Sequence, residues 1–153
     1  YKWLSDQLDI PVIGPETMTG KISTRAEWIK NDVVDILRGG VGDLGGLTPL
    51  MKVAHLAESF NMAMEVHGGK EGNLHALGSM RLPGEFYERG LLHPHVDYEK
   101  PPDYLHEIMD PMDEEGFIHM PKGDGLGWKI NHDYINDNLI SGNDNKEKAR
   151  RSY

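Results

Sequence analysis

The chain has 153 residues, 16 basic against 25 acidic side chains, a formal net charge of -9, 18 glycines and no cysteine. That length fits one domain, the 38% hydrophobic content with abundant glycine is globular rather than disordered, and the acidic balance argues against a nucleic-acid or anionic-membrane surface. Without cysteine there is no disulfide framework, thiol catalysis or thiolate metal site, so any metal must use Asp, Glu, His or backbone oxygen.

The first element in chain order is the apolar run Ile10-Pro11-Val12-Ile13, of strand type and closed by Gly14-Pro15. Thr24 with Glu27 three residues later reads as a capping box opening a short helix to about Lys30. Val33 to Leu37 is β-branched and apolar enough for a buried strand, stopped at Arg38-Gly39-Gly40. Thr48-Pro49 supplies an N-cap and a proline at the first helical position, and Leu50, Val53, Ala54 and Ala57 then recur at helical spacing. A third strand, Met62 to Val66, ends at His67-Gly68-Gly69. A helix through Leu74 and Leu77 leads to a fourth extended segment, Glu85 to Glu88, ended by Arg89-Gly90.

Such alternation predicts an α/β fold of parallel strands with crossover helices, either an open doubly wound sheet or a TIM-like barrel. Beyond Leu92 the pattern breaks. His93 to Pro102 reads as a loop, Tyr104 to Met109 as a helical turn, and Gly116 to Pro121 with Trp128 to Ile130 as a hairpin around a turn at Lys122 to Gly127. The expected division is residues 1–92, four β/α units, then 93–140, a second structural layer, then 141–153, a mobile polar tail. No apolar run reaches the roughly 18 residues of a membrane span, and Tyr1 to Ile13 lacks a signal-peptide layout. These features and the missing cysteines give cytoplasmic as the expected location. The absence of an initiator methionine gives the expectation that Tyr1 is not a natural start.

Polar groups and glycines collect where the predicted strands end, and in parallel α/β proteins that edge carries the chemistry. Glu16, behind Gly14-Pro15, can ligate a hard cation; the plainer reading is a solvated loop acid. His67 ends an apolar strand and is suited to proton transfer near neutral pH, against a buried structural histidine. Glu88 can hold substrate hydroxyls or be tied up in a salt bridge with Arg89 or Arg38. His93 and His95 have the H-x-H spacing of a metal pair, with Pro94 between them. Gly39-Gly40 and Gly45-Gly46 match neither a dinucleotide nor a P-loop fingerprint.

The block Gly45-Gly-Leu-Thr-Pro-Leu-Met-Lys-Val-Ala-His-Leu-Ala-Glu58, then Glu65-Val66-His67-Gly68-Gly69, resembles the barrel domain of the mandelate racemase and muconate lactonizing enzyme family of the enolase superfamily. Pro121-Lys-Gly-Asp-Gly-Leu-Gly127 is similar to the C-terminal element with which that family completes its cap. The resemblance runs from about Leu4 to Ile140. It implies a (β/α)7β barrel under an α+β capping domain, an essential Mg2+, and removal of the proton α to a substrate carboxylate to give an enediolate. The strands read above become the fifth to the eighth, so the chain is the C-terminal half of the barrel plus a segment returning to the cap.

By the same resemblance Glu16 is the third metal carboxylate, His67 the catalytic histidine, and Glu88 the glutamate that contacts the substrate carboxylate or enediolate. The family's lysine base and first two metal carboxylates would lie in an N-terminal half of the same protein, before Tyr1. In histidine-using relatives an aspartate at the end of the sixth strand pairs with the histidine, and the matching position here is Gly40. Asp43 or Asp35 can substitute only as a guess from sequence. Lacking that partner, His67 is expected to be a poor base and a better acid, which favours β-elimination of water over two-base racemisation. The expected function is an Mg2+-dependent acid-sugar (aldonate or aldarate) dehydratase, complete only with the missing half. The alternatives are a racemase or cycloisomerase of the family, or a degenerate binding protein. Expected partners are a small carboxylate substrate and further copies of the chain in a homo-oligomer, with no nucleic acid and no membrane.

Overall fold

The computed structural model describes residues 1–69, 72–84, 86–89 and 100–140. In chain order these contain α1 (Lys2–Gln7), β1 (Ile13–Gly14), α2 (Lys21–Lys30), β2 (Ile36–Gly39), α3 (Val41–Leu44), α4 (Leu47–Ser59), β3 (Met64–Val66), α5 (Asn73–Ser79) and α6 (His132–Asp137). The strands form one parallel sheet in the order β1-β2-β3. The register sets Gly14 beside Leu37, and Arg38 and Gly39 beside Glu65 and Val66. Sequential parallel neighbours joined by helices are the expected α/β arrangement.

Burial follows the helical stripe read from sequence. Leu50, Val53, Ala54 and Ala57 of α4 pack with Ile29, Leu37, Leu44 and Met64 in one core under the sheet. Each of those four α4 residues is buried, so the amphipathic face, not capping, fixes this helix. A Leu50→Ala change removes a fully buried side chain, the class of substitution that costs about 2–5 kcal/mol.

Several boundaries differ from expectation, for local reasons. Helix α2 starts at Lys21 with Gly20 as its N-cap, and the Thr24 hydroxyl donates to the Thr19 carbonyl, so Thr24 and Glu27 form no capping box. Gly46 rather than Thr48 caps α4. Gly45 (φ 85°) and Gly46 (φ 136°) make the break between α3 and α4 in backbone regions that side chains disfavour. Strand β2 begins three residues later than its apolar run, because the ladder to β3 uses Leu37, Arg38 and Gly39, and hydrophobicity does not register pairing through a glycine. Just before the expected fourth segment the chain meets the sheet: Pro83 bridges Met64, with the Gly84 amide donating to the Met64 carbonyl. Residues 86–89 carry no ladder.

The hairpin expected over residues 116–130 does not form. Ile118 instead bridges Met112, and Ile130 bridges Leu105, so each arm pairs with the preceding segment. Residues 104–109 adopt no helix; their backbone is used in that pairing, the His106 amide donating to the Lys129 carbonyl. Helices α1, α3 and α6 were not expected. The first has no buried residue, and the last is capped by Asn131, whose side chain accepts from the Tyr134 amide. His93, His95 and the tail 141–153 lie outside the described residues.

Candidate active site

At the carboxyl ends of the strands, His67 follows β3 and its amide donates to the Gly39 carbonyl, locking it to the end of β2. Its imidazole stands between two carboxylates. Nδ1 lies 2.7 Å from Asp43 Oδ2, and Nε2 lies 3.3 Å from Glu16 Oε1. The Asp43 carboxylate can only accept, so in the neutral ring bonded to it the proton sits on Nδ1 and Nε2 offers its lone pair. When protonated, the ring donates to both neighbours. An open cavity of about 160 Å³ adjoins this pair, lined by Gly42, Asp43, His67, Gly68, Gly69 and Asn73. A larger one, about 350 Å³, lies within the C-terminal segment between Glu107 and Lys129, away from the strand ends.

The imidazole therefore does have a carboxylate partner, contrary to expectation. Asp43 enters from the first turn of α3, not from the strand end. Gly40 cannot play that part: a Cβ there would stand 2.3 Å from the His67 carbonyl oxygen and 3.3 Å from Asp43 Oδ2. Close approach of the β2 and β3 ends requires glycine, and the acid is displaced to the following turn. Asp35 belongs to the opposite end of β2, where its side chain accepts from the Val12 amide at 2.7 Å. Replacing Gly40 by alanine forces the two strand ends apart. The expected cost is about 1–3 kcal/mol, read as a lower midpoint of urea unfolding.

Glu16 and Glu88 are joined by Arg38. The guanidinium donates from Nε to Glu16 Oε2 at 3.0 Å and from Nη2 to Glu88 Oε2. Glu88 Oε2 also accepts from the Gly68 amide at 3.0 Å. Strand ends read separately in the sequence thus form one connected group: Glu16, Arg38, Asp43, His67 and Glu88. The salt-bridge reading of Glu88 holds through Arg38, and it places Glu88 within the group rather than apart from it.

Burial pushes the Glu88 carboxyl up, but the Gly68 amide and the Arg38 charge outweigh it and hold the group below its ordinary value of 4.5. A depressed folded value means stability that is present above the unfolded value and lost as pH falls through the folded one. Unfolding in urea across the acid range below pH 4.5 is accordingly expected to show a shallower loss of stability in Glu88→Gln than in the parent.

Sequence reasoning passed over Asn73, which is buried at the start of α5. Its Oδ1 accepts from the Val41 amide at 2.8 Å, and its Nδ2 donates to the His67 and Gly68 carbonyls at 3.0 Å each. One side-chain amide thereby ties the His67 loop to the helix that carries Asp43. An asparagine opening a helix after a glycine-rich stretch was the available signal, and it reads more simply as a cap.

Among the described residues no three His, Asp or Glu side chains converge as a cation site. Glu16 is half-exposed, at a strand end, with one oxygen on Arg38 and the other on His67. It has the hard-oxygen chemistry that Mg2+ requires, as one donor of an incomplete set.

A family model described as enolase C-terminal domain-like matches residues 1–134. The chain belongs to this family. That match places it in the enolase superfamily, and mandelate racemase and muconate lactonizing enzymes among its structural neighbours share the fold. The chain is 52% identical, with a TM-score of 0.84, to a D-glucarate dehydratase from Agrobacterium tumefaciens solved with magnesium, over 91% of this chain and 36% of that one. It is 32% identical over 71 residues to a D-galactonate dehydratase family member from Enterocloster bolteae, covering 44% of this chain and 17% of that protein. A mandelate racemase/muconate lactonizing enzyme from Polaromonas sp. shares the fold at 24% identity and a TM-score of 0.60, over 86% of this chain and 33% of that one. The chain thus spans about a third of the solved relatives, and its match covers less of the curated one. Among the described residues no helix of this enolase-superfamily chain is long and apolar enough to cross a membrane.

Proposed function

We propose that this chain is the C-terminal half of the barrel of an Mg2+-dependent acid-sugar dehydratase, with β1, β2, β3 and the sequence segment that ends at Glu88 as the fifth to eighth strands. The observation that carries the site is His67 held at a strand end between Asp43 and Glu16, a placed acid or base. With Asp43 beside it the ring no longer disfavours racemisation, so the choice of dehydration rests on sequence likeness to a dehydratase. The 52% identity to a D-glucarate dehydratase solved with magnesium supports both the reaction class and the metal.

In this reading Glu16 contributes one carboxylate to Mg2+, and the other ligands come from the part of the protein outside this chain. Bound Mg2+ supplies Lewis-acid stabilisation of the negative charge that develops on the substrate carboxylate. Asp43 holds the imidazole by Nδ1, so that Nε2 faces the reacting carbons. A base from outside the chain takes the α-proton; as the β C–O bond breaks, the proton on Nε2 passes to the departing hydroxyl, and water leaves. The enol left behind tautomerises to a 2-keto-3-deoxy acid. Glu88, fixed by Arg38 and the Gly68 amide, contacts the substrate at the far side of the group. This segment alone, with one metal carboxylate and no lysine base in place, is inactive.

The degenerate-protein reading rests on Gly40, and the Asp43 carboxylate 2.7 Å from His67 Nδ1 speaks against it. The test is turnover by the full-length protein across aldonic and aldaric acids, with and without Mg2+, following 2-keto acid formation. Mg2+-dependent keto acid is the expected result. Exchange of the α-proton in D2O with epimerisation and no keto acid would assign a racemase instead, and no exchange with any acid would leave a binding protein.

A further inference from the structure

Arg25 lies on α2 with its side chain fully buried at 0% exposure. A guanidinium removed from water is ordinarily matched to a carboxylate, with two parallel bonds. Here, among the described residues, no carboxylate stands within ion-pair distance of it. Its donors go instead to backbone carbonyls: Pro15 at 3.2 Å, Lys21 at 3.3 Å, Met18 and Arg38 at 3.4 Å, and Glu16. Three of the acceptors, Pro15, Glu16 and Met18, belong to the loop that carries Glu16, and a fourth is the carbonyl of Arg38, whose side chain holds the Glu16 carboxylate.

We infer that Arg25 is the positioning residue for Glu16, its planar fork fixing the backbone of the loop after β1 and so the point from which the Glu16 carboxylate meets a divalent cation. The inference rests on the reading of Glu16 as a ligand of Mg2+. Geometry distinguishes it from ordinary packing. A loop of residues 15–20 between a two-residue strand and a helix has little ladder of its own, and the carbonyl bonds from Arg25 tie it to α2 and β2. Lysine keeps the charge but offers a compact ammonium with three donors in place of the five-donor plane, so it cannot reproduce the set.

The experiment uses the full-length protein and MgCl2 as the probe, with no substrate present. Calorimetric Mg2+ dissociation constants and metal-free melting temperatures are measured for the parent, Arg25→Lys, Arg25→Met and Ile29→Ala, the last a core control on the same helix. Arg25→Met is expected to weaken Mg2+ binding about 10–100-fold, the usual cost of removing support behind a ligand, and Arg25→Lys to recover part of it. Ile29→Ala should lower the melting temperature while leaving the dissociation constant at the parent value. If the Arg25 variants melt earlier yet bind Mg2+ as the parent does, or if neither folds, Arg25 is structural only and the inference is overturned. A parent that binds no Mg2+ would instead remove the Glu16 reading itself, and the inference with it.

Discussion

His67→Gln in the full-length protein is expected to lower dehydration about 10²–10⁴-fold, the range over which a positioned acid or base contributes. Glutamine keeps a polar group of similar reach between Asp43 and Glu16 but carries no proton that can be transferred. The loss should therefore appear in kcat, with substrate KM little changed. Asp43→Asn is the sharper companion. An asparagine NH2 facing Nδ1 would donate where the carboxylate accepts, turning the ring to the tautomer with its proton on Nε2 and removing the charge that balances an imidazolium. Its kcat should fall as well, with a changed pH profile. Parent-like turnover and pH profile in Asp43→Asn would show that the 2.7 Å contact has no part in the chemistry.

Glu16→Gln is expected to weaken Mg2+ binding by more than the roughly 10–100-fold that loss of a supporting group costs, because a charged donor itself is removed. Turnover should fall with it and return only in part at high Mg2+. A second consequence follows from the geometry: Arg38 loses one of its two carboxylates and remains paired with Glu88. The metal-free protein should then keep most of its stability, since an exposed pair of this kind is worth about 0–1 kcal/mol. Calorimetry with MgCl2 and urea unfolding separate the two effects. Undiminished Mg2+ binding in Glu16→Gln would exclude this carboxylate as a ligand.

How far the site could be read from sequence differs residue by residue. His67 and Glu16 were legible because each ends an apolar run at a glycine or proline, and strand ends in parallel sheets gather chemistry. Asp43 was legible only as one of two guesses, with Asp35, since it sits beyond a strand end on a four-residue helix whose own pattern is too short to predict. The expectation of a partnerless imidazole came from placing the acid by strand position alone. That placement fails because the β2 and β3 ends approach so closely that Gly40 has no room for a side chain. Arg25 and Asn73 were illegible for a related reason. Their partners are backbone carbonyls and amides, which every residue possesses and no sequence pattern marks.

Sequence alone determined the local periods of this protein: the buried stripe of α4, the alternation of strand and helix, and the glycine breaks after each strand. Those follow from side-chain volume, polarity and backbone freedom at each position, which neighbours a few residues away suffice to express. Only the tertiary structure decided which carboxylate meets His67, that Arg38 joins Glu16 to Glu88, and that residues 118 and 130 pair with preceding segments and not with each other. Those are outcomes of register and of contacts mostly 22 to 50 residues apart in the chain, such as Arg38 with Glu16 and with Glu88, the bridge of Ile118 to Met112 being the short exception. They depend on how closely two strands approach, a distance set by packing and written in no single stretch of residues.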